Sequence, residues 1–381
     1  MAAAALFVAG CTAETERSAA PPQEQHSSEQ QLAPEPPNES QWRVLERDSL
    51  VGFIHDKFVA TSWDPDEQLL MDTISAHGYR GEGYADFGLD LTDTQTLTSK
   101  IDSWVNEGAA AIIIESTLWE DLGDSVQQAR EAGVRVISYL KPAPESIEID
   151  AHVGVESETY QRAQLKQLVS MLQVKGAAKP WRIASVSHHS AVGLPTDVAV
   201  EERIIDELVT DGTLTASDDI ELLTFEWEKH DNRNTSKKLG RWLGKQEGID
   251  GAIFSDSTTL RTMRRLEHLS PTLPVVSGEA MTGHGPDLET AEMIARNRHY
   301  AAVFVPASVQ VDLVVDVLDA FRDGTDSSLD RLKRDGVPTE LPVAVPEPVT
   351  LTRDSYRELV DRFPNDLMYV QHIFDEWVTG K

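Results

Sequence analysis

Residues 98–140, TSKIDSWVNEGAAAIIIESTLWEDLGDSVQQAREAGVRVISYL, decide the fold. Ile101, Trp104 and Val105 recur at helical spacing, Gly108 stops that helix, and Ala111 to Ile114 is an apolar run of strand length. A second helix, Leu118 to Ala132, sets Leu122, Val126 and Ala129 on one face and stops at Gly133; Val134, Val136 and Ile137 then begin another buried strand. Helix, strand, helix, strand in this order contains a βαβ crossover, whose strands are parallel and whose connection is right-handed. In open α/β sheets ligands bind outside the carboxyl ends of the strands. The segments to watch are therefore Glu115 to Trp119, with Thr117 at its centre, and Tyr139 to Lys141.

The same alternation extends outward on both sides. Leu50 to His55 reads as the first strand, Pro65 to His77 as a helix, and Gly81 to Phe87 as the second strand. Asp56 to Trp63 forms the loop at the first strand's carboxyl end and holds Phe58 and Trp63. Pro142 and Pro144 break the pattern and mark a crossover between domains. A second α/β series starts at His152. Its strands are Trp181 to Val186, Ile220 to Phe225, Gly251 to Phe254, Leu273 to Val276 and Tyr300 to Val305. Its helices are Glu156 to Val174, Val198 to Val209, Asn232 to Gln246, Thr258 to Leu269, Asp287 to Asn297 and Val309 to Phe321. The fold class expected is α/β: two Rossmann-like, doubly wound parallel-sheet domains. A length of 381 residues suits that number, since single cores rarely grow far beyond about 250–300 residues.

Acidic residues outnumber basic ones 64 to 34, for a formal charge of −30 spread along the chain. Nucleic acid and anionic lipid are poor partners for such a surface. It fits either a surface adapted to high salt or an ordinary acidic protein. Cys11 is the single cysteine and no internal disulfide is possible. It follows Leu6, Phe7, Val8, Ala9 and Gly10, which look like the tail of a bacterial lipoprotein signal, so Cys11 is the expected lipidation site. The run lacks a basic start, which points to a start codon further upstream. From Thr12 to Ser40 the chain is polar and proline-rich, and it cannot bury enough apolar surface to fold. It reads as a disordered tether. No later apolar run approaches the roughly 20 residues that span a bilayer.

The order of elements, with HVGVESETYQRAQ, GIDGAIFSDS, PVVSGE and AAVFVPASVQ beside the opening phrase, resembles the type I solute-binding proteins of ABC transporters, of the periplasmic sugar-binding kind. The resemblance spans roughly Leu50 to Thr352. It implies two lobes joined by three crossovers that close on a small ligand like a hinged trap. The expected divisions are a signal remnant at 1–11, a tether at 12–43, an N-terminal lobe at 44–143 plus about 300–325, a C-terminal lobe at 144–299 plus about 340–352, and an extension at 353–381.

The family's ligand positions transfer unevenly. Asp56, Phe58 and Trp63 occupy the loop that usually supplies an asparagine and stacking aromatics. Leu140 and Lys141 replace an Asp-Arg pair, so the cation is kept and the carboxylate lost. Ser255-Asp256 stands for Asn-Asp, Glu279 for an aspartate, and Phe304 for a polar residue before the last crossover. An arginine expected near Val200 has no counterpart, although Arg203 lies one turn later.

The residues themselves nominate a cleft lined by Trp63, Trp119, Tyr139, Trp227 and Phe304, with Asp56, Glu115, Asp256 and Glu279 nearby. Aromatic faces beside a few polar groups suit sugars, polyols and cations. Core packing is the competing reading for each aromatic. His188 is expected to add a hydrogen bond; its neighbour His189 would point to the opposite side of a strand, which argues against a chelating pair. No phosphate loop, GxSxG or HExxH motif occurs. The expectation is a non-enzymatic, cofactor-free, monomeric lipoprotein in the periplasm or on the cell surface. It captures a sugar or polyol and delivers it to an ABC permease; the alternative is a sensing subunit for a membrane histidine kinase or chemoreceptor.

Overall fold

The apolar runs form two predominantly parallel sheets. The computed structural model of the protein describes residues 42–56, 65–86, 94–116, 118–189, 198–228, 232–254, 273–278, 288–297, 299–334 and 337–379. In chain order the first half contains β1 (Leu50–Asp56), α1 (Pro65–Ala76), β2 (Arg80–Asp86), α2 (Gln95–Glu107), β3 (Ala111–Glu115), α3 (Trp119–Glu131), β4 (Arg135–Tyr139) and β5 (Ala151–Val153). There follow α4 (Ser157–Lys175), β6 (Trp181–His189), α5 (Val198–Thr210), β7 (Ile220–Glu228), α6 (Asn232–Leu243), β8 (Gly251–Phe254), β9 (Val275–Gly278), α7 (Leu288–Arg296) and β10 (Tyr300–Phe304). The chain closes with α8 (Ala307–Asp323), β11 (Asp330–Arg334), β12 (Val337–Ala344), β13 (Val349–Leu351), α9 (Tyr356–Arg362) and α10 (Pro364–Phe374).

The first sheet has the order β11-β12-β5-β4-β3-β1-β2, and the second β13-β10-β9-β8-β6-β7. Only the pairings of β11 with β12 and of β10 with β13 are antiparallel among the described strands. Alternation assigns the faces. Ile113 packs with Val51, Phe53, Leu70 and Ile74 under α1 and α8, whereas Ile112 and Ile114 pack with Ile101, Trp104, Leu122 and Val126 under α2 and α3. Trp104 lies against Gly52, where an added Cβ would sit 2.4 Å from the ring. In the second sheet Ile183, Ile253, Val276 and Val303 meet α4 and α5, and Ala184, Ala252 and Phe254 meet α6. The C-terminal helices α9 and α10 cover Ala302, Phe304 and Leu351 together with α7.

Sheet membership shifts the expected lobe boundaries. β5 lies within the span assigned to the C-terminal lobe but pairs with β4 and β12 in the first sheet. β10 lies within the span assigned to the N-terminal lobe but pairs with β9 in the second. β12 belongs to the first sheet and β13 to the second, so the expected 340–352 segment is divided between them. The chain accordingly crosses between sheets after β5, between β10 and α8, and between β12 and β13.

The entry segment is fastened at the amino edge of the first sheet. Arg43 N–H donates to Gly133 O at 2.7 Å, and its guanidinium donates to Val105 O and Ala109 O at 3.0 and 2.9 Å. Trp42 lies 4.0 Å from the Arg135 guanidinium, which also covers Phe321. Orphan carbonyls at the end of α2 thereby gain charged donors.

Candidate ligand site

In each sheet the first strand is flanked by the next two, β1 by β2 and β3, and β6 by β7 and β8. The chain reverses its direction of sheet building there, so the switch points fall at the carboxyl ends of β1 and β3, and of β6 and β8, the edge at which open α/β sheets bind ligands. At the first, His55 and Glu115 are register partners. Glu115 and Lys141 form an ion pair at 3.6 Å, with side chains 18% and 11% exposed. His55 is buried, stacks on Phe53 at 5.1 Å, and its Nε2 lies 3.1 Å from Glu67 Oε2. Gly83 leaves the room that Glu67 occupies: a Cβ there would stand 2.4 Å from the carboxylate.

Lys141 reaches this position through a bent backbone. Leu140 has φ of 60°, and Lys141 N–H donates to Tyr139 O at 2.6 Å, closing a three-residue turn. A non-glycine residue in this region costs on the order of 1–3 kcal/mol and persists where surrounding structure imposes it. Here Leu140 N–H is also tied to Val153 O at 2.8 Å. The turn carries the chain off β4 and sets Lys141 beside β3.

At the second switch point His188 and Trp227 are register partners on β6 and β7, and their side chains lie outside the described residues. Ser185 Oγ donates to Glu201 Oε1 at 2.5 Å, both buried, tying β6 to the first turn of α5. Gln164 Nε2 donates to Phe254 O at 2.9 Å, which fastens α4 to the last residue of β8. Tyr160 OH donates to Val303 O at 2.5 Å in the same way for β10.

The other sequence-derived site residues divide into three groups. Phe58, Trp63, Thr117, Asp256, Glu279 and the lipidation candidate Cys11 lie outside the described residues, as does the side chain of Asp56, which ends β1. Trp119 opens α3 and is 4% exposed; its Nε1 is buried without a hydrogen-bond partner among the described residues. Tyr139 and Phe304 are 1% and 0% exposed. Tyr139 packs edge-on against Phe53 at 5.9 Å, and Phe304 packs with Leu351, Tyr356 and Leu367 beneath the C-terminal helices. Core packing describes both positions, because neighbours cover the rings that the strand-end argument offered to a ligand. His55, Glu67, Ser185 and Glu201 were not singled out from the sequence. The penultimate place of His55 on β1 was the available signal; Glu67 and the Ser185–Glu201 pair join a strand to the helix that follows it, 12 and 16 residues apart, and periodicity does not announce which side chains meet.

Among the described residues no group of three His, Cys, Asp or Glu side chains is arranged to hold a metal ion, and no helix is long and apolar enough to cross a membrane.

The fold has many solved counterparts. A Clostridium phytofermentans ABC transporter solute-binding protein with bound β-D-glucose superposes with a TM-score of 0.61 at 16% identity, covering 82% of this chain and 96% of that one. A periplasmic ribose ABC transporter protein from Conexibacter woesei gives 0.59 at 12% identity, covering 84% and 96%. A Bacillus halodurans solute-binding protein with bound myo-inositol gives 0.55 at 13%, covering 83% and 99%. No curated protein sequence matches the chain. The family profile described as a periplasmic binding protein domain matches residues 53–326. With two parallel sheets, paired switch points and a profile match over most of its length, the chain belongs to the periplasmic binding protein domain family.

Proposed function

We propose that the protein captures a sugar or polyol between its two lobes by hinge closure and hands it to an ABC importer outside the cytoplasm. The observation that carries this reading is the Glu115–Lys141 pair held at the carboxyl edge of the first sheet beside the β1/β3 switch point. A fixed carboxylate and ammonium side by side supply both an acceptor and donors, which is what a vicinal diol requires. Glucose, ribose and inositol in the names of the structural counterparts agree with that chemistry. Around the pair we assign Asp56, Phe58, Trp63, Thr117 and Trp119 to the ligand from the first lobe, and His188, Trp227, Asp256 and Glu279 from the second.

The reading extends to location. The entry segment at Trp42 and Arg43 is fastened at the amino edge of the first sheet, opposite the ligand edge. We assign Cys11 as the lipidation site that holds the protein to a membrane.

A thermal-shift screen against sugars, polyols, amino acids, polyamines and betaines tests the reading. A ligand at about 100 times its Kd stabilises the fold by about 2.7 kcal/mol, a shift of a few degrees for a chain of this size. A sugar or polyol hit that Trp227→Ala weakens without lowering Tm supports it. Hits confined to polyamines or amino acids reject the sugar assignment.

A further inference from the structure

The helix α8 starts at the second crossover, and its body belongs to the first sheet. Val311, Val314, Val317 and Leu318 share a core with Val51, Phe53 and Ile113. Tyr79 OH donates to Asp319 at 2.6 Å, and the Arg322 guanidinium donates to both, which locks the far end of the helix to the start of β2.

Its first turn is gripped from the other lobe. Ser308 donates twice to the Asp366 carboxylate, from N–H at 3.1 Å and from Oγ at 2.6 Å. Asp366 is 7% exposed and sits on α10, whose Leu367, Val370 and Phe374 pack with Ala302, Phe304 and Leu351 of the second sheet. This contact, beside the packing of Val309 against the same cluster, links the helices riding on the second sheet to a helix whose body packs on the first. A carboxylate at a helix N-terminus satisfies an orphan N–H and lies at the positive end of the helix dipole. Its charge is also felt along α8: burial pushes the Asp312 carboxyl up, the Asp316 and Asp366 carboxylates push it further, and His77 opposes them.

We propose that Asp366 is a positioning residue for ligand capture: through Ser308 it restrains how far the lobes open, and so sets ligand affinity without touching the ligand. The proposal rests on the reading of the lobes as a closing pair. A restraint across the hinge narrows the ligand-free ensemble, so less conformational freedom is lost on closure and binding tightens. Asp366 lies beyond residues 53–326, the span of the family profile. The restraint is accordingly supplied by a segment outside that span.

Spin labels on each lobe test it in the full chain. Asp102→Cys on α2 and Glu202→Cys on α5, both exposed positions, are introduced into a Cys11→Ser background, where they are the only thiols. Distances are measured by pulsed electron paramagnetic resonance without ligand. Ser308→Ala and Asp366→Asn are expected to lengthen and broaden the distribution, and Ser308→Thr, which keeps the hydroxyl, to preserve it. With D-glucose as the probe, the first two variants are expected to lose about threefold to tenfold in affinity. Ligand-free distributions unchanged in Ser308→Ala and Asp366→Asn overturn the proposal. Should Asp366→Asn fail to fold, Ser308→Ala decides by the loss of the Oγ bond: it keeps the apolar packing of α10 and the backbone N–H bond, so a smaller lengthening is expected and none at all overturns the proposal. Failure of D-glucose to bind the unmodified protein counts against glucose as the ligand and not against the restraint, since the distance measurement needs no ligand.

Discussion

The Lys141 ammonium lies 3.6 Å from the Glu115 carboxylate, joining the turn after β4 to the end of β3 at the carboxyl edge of the first sheet. Both side chains are largely enclosed, so the pair is screened less than a surface pair and neither member is easily left alone.

Lys141→Met is therefore expected to lower stability by about 1–2 kcal/mol, because it removes the ammonium facing a largely enclosed carboxylate. The double variant Lys141→Met, Glu115→Gln should recover most of that loss. It should not recover sugar affinity, if both groups meet the ligand. Urea titration and calorimetry on the same four proteins separate the two effects, and restored binding in the double variant would remove the pair from the site.

Asp150 is a second place where one side chain holds several donors. It is buried, accepts the Val136 N–H at 2.7 Å, and is paired with the Arg130 and Arg135 guanidiniums at 3.3 and 3.9 Å. Burial pushes its carboxyl up, and the two guanidiniums and the Val136 N–H pull against that. Asp150→Ala should cost about 1–3 kcal/mol, since it leaves the buried Val136 N–H without its acceptor and takes a counter-charge from Arg130 and Arg135. Asp250, which accepts Arg182 N–H at 2.9 Å before β8 and is only half-buried, plays the corresponding part in the second sheet. Asp250→Ala should cost visibly less in the same denaturant titration.

Gly52→Ala tests the packing of the first sheet. Its new Cβ would meet Trp104, which is 0% exposed, so the ring or the strand must shift. Overpacking of this kind costs about 1–3 kcal/mol. A midpoint unchanged in urea would show that the ring is held less tightly than its burial implies.

Tyr79 predicts an alkaline effect. Burial and the adjacent Asp319 push its hydroxyl well above the ordinary tyrosine value, with Arg322 opposing them. The folded protein thus holds this proton more tightly than the unfolded chain does. Its contribution to stability is complete below about pH 10 and declines as pH rises toward the folded value. Tyr79→Phe should show a shallower loss of Tm than the unmodified protein above pH 10; parallel curves would refute the linkage.

The chain's local order was legible from its amino acids. Helical spacing in Ile101, Trp104 and Val105, the stop at Gly108 and the run at Ile112 to Ile114 require only neighbours within about one turn or one strand, and they led to α2, β3 and the crossover. Lys141 was reachable too, because a strand's carboxyl end follows from its direction. What periodicity leaves open is which sheet a short strand joins and which side chains end up covered, since both depend on residues far away in the chain. β5, β10 and β12 found their partners through topology, and Phe304 was enclosed by Tyr356 and Leu367 from a segment more than 50 positions later. Ser308 and Asp366 are 58 residues apart, and nothing in either neighbourhood announces the other. The sequence by itself determined two predominantly parallel α/β sheets; only the tertiary structure decided which strands each sheet takes and which side chains are covered or paired, because burial and hydrogen-bond partnership arise from chain segments that meet only after folding.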